Sequence, residues 1–87
     1  MSISDSHARA LIFMAQAYRK INTAVMLGQT HEQLMPRLDI LQKAHRKLDE
    51  GTAALSDTRY SPNTRKELSE VAYDEATALV DPLPREA

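Results

Sequence analysis

The chain predicts an all-α fold, on three observations. Twelve Ala and ten Leu stand against only three Val, a balance that favours helix over sheet. Two Gly and four Pro are confined to a few places and divide the chain into three stretches. Within those stretches apolar residues recur at spacings of three and four. The expected architecture is a long antiparallel helical hairpin plus a shorter third helix, completed into a bundle by dimerisation.

The first helix is expected over about residues 5–28. Ser4, Asp5 or Ser6 can cap it, the run from His7 to Leu27 holds no Gly or Pro, and Gly28 supplies a stop. His7, Ala10, Met14, Ala17, Ile21, Ala24 and Gly28 form one seven-residue line, and Leu11, Tyr18 and Val25 form another beside it. The polar strip is only Arg9, Gln16, Arg19, Lys20 and Thr23, so the apolar arc is wider than one partner helix covers.

The second helix is expected over about 31–56. Thr30 and Gln33 read as a capping box. Pro36 lacks a ladder donor and restricts Met35, so the helix either kinks there or begins there. Gly51 either ends it early or lies inside it at about 1 kcal/mol relative to Ala. Leu34, Leu38, Leu41, His45, Leu48, Thr52 and Leu55 form its seam, opposite a charged face.

Ser61 and Pro62 fit an N-cap followed by proline at the first helical position, which places the third helix at about 62–80. Leu68, Val71, Ala72, Ala76 and Leu79 mark its thin apolar side. Pro82 and Pro84 stop it and leave 81–87 as a flexible tail.

Eighty-seven residues allow one domain, 1–87. A domain of this size buries only about 60% of its unfolded surface, so self-association is expected to complete it. The absence of Cys removes thiol chemistry and disulfides, and no apolar run approaches a membrane span. The first ten residues lack the basic start and apolar core of a signal peptide, and the expected location is cytoplasmic. A net charge of −1 gives no electrostatic case for DNA. The charge is uneven, however. Residues 1–60 carry eight bases and six acids, and the remainder three bases and six acids.

No catalytic constellation is present in the pattern. His45 and Asp49 are four apart, but two groups without a further ligand motif do not make a metal site. The better reading of His45 is structural, as a polar group at a seam position that fixes register or partner choice, or as a half-buried His capped by Asp49. His7 and His31 stand near helix starts, where histidines are usually exposed. Ser and Thr mostly occupy capping positions, and neither glycine belongs to a phosphate-binding loop. Tyr60 and Tyr73 are the aromatics expected to be partly exposed, either as interface anchors or with Tyr73 covering the edge of the core and Tyr60 closing a loop.

The reading is therefore a non-catalytic helical interaction module, a small adaptor, inhibitor or secretion-type chaperone, needing no metal or cofactor. Its partner is a protein or a second copy, met through an apolar helix face. The expected contact residues are Met14, Ala17, Tyr18, Ile21, Val25, His45 and Tyr73, with Leu38, Leu41 and Leu48 holding the hairpin. The alternative is a dimeric nucleic-acid-binding regulator or a phage- or plasmid-encoded antitoxin-like protein, for which Arg9, Arg19, Lys20, Arg37, Lys43, Arg46 and Lys47 supply the bases. In layout, from His7 to Leu55, the chain resembles the small export chaperones of flagellar and type III secretion systems. That resemblance implies client binding and assigns no residue.

Overall fold

Local chemistry at the helix starts sets the frame. Ser4 accepts a hydrogen bond from the His7 N–H, and Ser61 one from the Thr64 N–H. Thr30 and Gln33 close a reciprocal capping box, with the Thr30 N–H donating to Gln33 Oε1 at 2.8 Å. Each satisfies backbone donors that a helix start leaves open. In the computed structural model, which describes residues 3–87, these caps precede α1 (Asp5–Met26), α2 (His31–Leu55) and α3 (Pro62–Val80). Of the single domain expected over 1–87, residues 1 and 2 lie outside the described part.

Gly28, with φ of +92°, occupies the left-handed region just after α1, where a side chain would be strained. α2 runs without interruption through Pro36 and Gly51. Pro36 forfeits one ladder bond in an exposed second turn, while the capping box and the buried Leu34 and Leu41 hold the helix on either side.

α3 makes its most extensive contact with α2 and a smaller one with α1, whereas α1 and α2 touch least. The residues explain the order. Ala44 and Gly51 of α2 and Ser69, Ala72 and Ala76 of α3 are all buried and small, which lets two backbones close on each other. α1 adds Ala10, Met14, Ala17, Ile21 and Ala24 to the core, beside Leu34, Leu41 and Leu48. Complete burial of Leu41 alone contributes about 2 kcal/mol.

Tyr73 is the largest side chain in this core. It was expected at a partly exposed edge, yet it is 1% exposed. A Cβ built on Gly51 would lie 2.6 Å from the Tyr73 ring, so the glycine is where the ring fits. The ring also stacks on the His7 imidazole at 4.2 Å between centroids and 3° between planes, and its hydroxyl lies 3.2 Å from Thr52 Oγ1. His7 is therefore packed rather than free. The apolar side expected of α3 is rotated: Leu68 and Val71 face outward, and Ser69, Ala72, Tyr73, Ala76 and Val80 face in.

Residues 81–87, expected as a free tail, pack along α1 instead. Leu83 joins the core, and the Glu86 N–H donates to the Gln16 carbonyl at 3.0 Å. Thr23 Oγ1 donates to the Glu86 carboxylate at 2.8 Å, while the Arg85 guanidinium sits 3.8 Å from the Phe13 ring centroid. Pro82 and Pro84 end the helix, but Leu83 still finds the apolar surface that α3 is too short to cover.

Candidate interaction surface

A helix with a broad apolar arc buries its best-packed part first and leaves the margin outside. On α1 the buried line is Ala10, Met14, Ala17, Ile21 and Ala24, and the margin is Leu11, Tyr18 and Val25. These three are 41%, 47% and 54% exposed. Their spacing of seven keeps them on one side of the helix over roughly 21 Å. Ile12 and Met26 extend the uncovered apolar surface, and Arg9 and Arg19 are exposed on the same helix.

This divides the expected contact residues. Tyr18 and Val25 lie on the surface. Met14, Ala17 and Ile21 do not, because they are consumed by packing within the chain. Tyr73 is also taken up internally. His45 is corrected in the opposite direction: its side chain is 62% exposed, 3.6 Å from Asp49, because the buried line of α2 passes through Ala44. One residue along a helix is a rotation of about 100°, which moves His45 out of the seam. Leu11, Ile12 and Met26 are exposed beside Tyr18 and Val25 and stand outside the expected set. The seven-residue line to Val25 signals Leu11, whereas Ile12 and Met26 share their line with the charged Arg19.

A second uncovered region lies on α3, where Leu68 and Val71 are 40% and 55% exposed. They edge a cleft of about 590 Å³ between α2 and α3, together with Tyr60, Lys47 and Glu75. Lys47 bridges the helices, 3.0 Å from Glu75 and 3.2 Å from Glu50, and both carboxylates push its pKa upward. Beyond that bridge the exposed charges of α3 are mostly acidic, with Glu67 and Asp74 beside the apolar pair.

The larger cleft, about 750 Å³, lies between the start of α1 and α3, where His7, Lys66, Ser69 and Glu70 meet Leu55. Its most buried polar group, Ser69, already donates to the Lys66 carbonyl at 2.8 Å. His7 is held by ring stacking. Among the described residues no group of three or more His, Asp or Glu is arranged to hold a metal ion, and no helix is long and apolar enough to cross a membrane.

No family model matches the chain, and neither a curated protein nor a solved structure does.

Proposed function

We propose that this chain is a non-catalytic helical interaction module, an adaptor, inhibitor or chaperone, which docks a helix of a protein partner on the outward face of α1. One observation carries the reading. Leu11, Tyr18 and Val25 remain open on a helix whose neighbouring arc is fully engaged in the core. An exposed apolar line of this length is a usual mark of a helix-docking surface. Self-association, which would complete the bundle, uses the same surface in this reading.

The test is a double substitution, Tyr18→Asp with Val25→Asp, at two exposed sites that leave the core unchanged. Light scattering on the purified chain and co-purification from lysate should both lose the partner, whether a second copy or a client. A variant with the wild-type mass distribution and the wild-type set of co-purifying proteins would overturn the proposal.

A further inference from the structure

We propose that the covering partner is another copy of this chain, met heterologously: the outward face of α1 on one copy packs against the outward face of α3 on the next. This rests on the α1 reading above and adds the identity of the opposite surface. Both faces present uncovered apolar residues, Leu11, Tyr18 and Val25 on one and Leu68 and Val71 on the other. The helices have 22 and 19 residues, close enough in length to lie alongside each other.

Charge selects the pairing. On the outward side of α1 the charge is Arg19, which stands in line with the exposed Ile12 and Met26. Arg9 and Lys20 lie on the side where the 81–87 segment packs, and the only acid of the helix, Asp5, is in its first turn. The outward acids of α3 include Glu67 and Asp74. Among the described residues none of Arg19, Glu67 and Asp74 forms an ion pair within the chain. A contact of α1 with α1 would offer Arg19 no acid, and one of α3 with α3 would bring carboxylates together. Juxtaposed like charges disfavour a docking and opposite ones favour it, so α1 against α3 is the matched combination. Each copy then offers one surface of each kind, and association continues to a ring or an open chain.

Two single variants and their mixture test this. Tyr18→Asp disables the α1 face and Val71→Asp the α3 face, both at exposed positions. In light scattering, wild-type mass should rise with concentration above the 9.8 kDa of one chain. Each variant alone should fail to form the wild-type assembly, and an equimolar mixture should recover a 1:1 complex through the intact faces. A second pair, Arg19→Glu and Asp74→Lys, repeats the design by charge reversal and serves where an aspartate impairs folding. Association should also weaken between 50 mM and 500 mM salt, as surface charges are screened.

If Val71→Asp and Asp74→Lys associate like wild type while Tyr18→Asp does not, the α3 face is uninvolved. That overturns this inference and leaves the α1 surface standing. A wild-type chain that stays monomeric also overturns it, and the α1 reading then stands or falls on client binding alone. If all variants associate like wild type, this inference falls, and the α1 reading is then decided by client co-purification.

Discussion

Tyr18 and Tyr73 are the same residue type placed on two helices of one small protein, and they mark regions built on opposite terms. Around Tyr73 every neighbour is specific. Gly51 makes room for the ring, His7 stacks on it, and Thr52 meets the hydroxyl. Around Tyr18 the flanking apolar residues Leu11 and Val25 are as open as the tyrosine itself. The first region expresses what the chain needs in order to fold. The second holds apolar surface that folding leaves unused, and it is there that a partner can add burial.

The sharpest way to break this comparison is to remove the buried ring. Tyr73→Ala should cost about 3–5 kcal/mol, the range for deleting a large buried aromatic, a large share of the total stability of a small domain. Urea unfolding followed by circular dichroism measures it. A loss below about 1 kcal/mol would mean that the ring does not organise the α2–α3 interface.

Gly51→Ala comes next, and its sign is diagnostic. In an exposed helix the change stabilises by about 1 kcal/mol through propensity. Here the new methyl meets ring atoms of Tyr73 at 2.6 to 2.9 Å, and the ring is enclosed. Overpacking of that kind costs about 1–3 kcal/mol, so the variant should be less stable than wild type. The double variant Gly51→Ala with Tyr73→Leu should recover part of the loss, since the two positions are coupled.

On the other region, Tyr18→Ser should change stability by no more than about 0.5 kcal/mol under conditions where the chain is monomeric. The same substitution should reduce association. A large stability loss in the monomer would show that Tyr18 belongs to the fold and would remove the contrast.

The difference between the regions also explains what was legible in the sequence. Caps are local, and Ser4, Thr30 with Gln33, and Ser61 with Pro62 could be read from neighbours three residues away. The inward face of α3 could not. Leu68 and Val71 are more apolar than Ser69 and Ala72, and only the steric match between Gly51 and Tyr73 makes the smaller residues face in. Such a match joins positions far apart in the chain and leaves no periodic trace. His45 shows the same limit at finer scale, because Ala44 and His45 both fit a line containing Leu41 and Leu48. On α1 the two seven-residue lines were visible, but which was spent internally depended on where α3 and the 81–87 segment lie. That is why the structure leaves Tyr18 and Val25 exposed and takes Met14, Ala17 and Ile21 into the core.

The smallest effect is expected at the turn that leads into the Tyr73 region. Asp57 accepts from the Arg59 backbone N–H at 3.1 Å and from its guanidinium at 2.7 Å. The Arg59 side chain, followed by its backbone N–H, lowers the Asp57 pKa from 3.8 to about 2. A depressed carboxylate pKa stabilises the fold above the unfolded value and loses that contribution as pH falls. The contribution should therefore be nearly whole above about pH 4 and be lost as pH falls to about 2 and below. Asp57→Asn isolates it, since the amide keeps the shape of the side chain without the titration. Urea midpoints of wild type and Asp57→Asn should differ slightly at pH 6 and converge as pH falls from 4 to 2. The pair spans two residues on an exposed loop and can form in the unfolded chain too, which keeps the difference small. A gap as large as that of Gly51→Ala would instead make the turn, rather than the packing around Tyr73, the element that aligns α3 on α2.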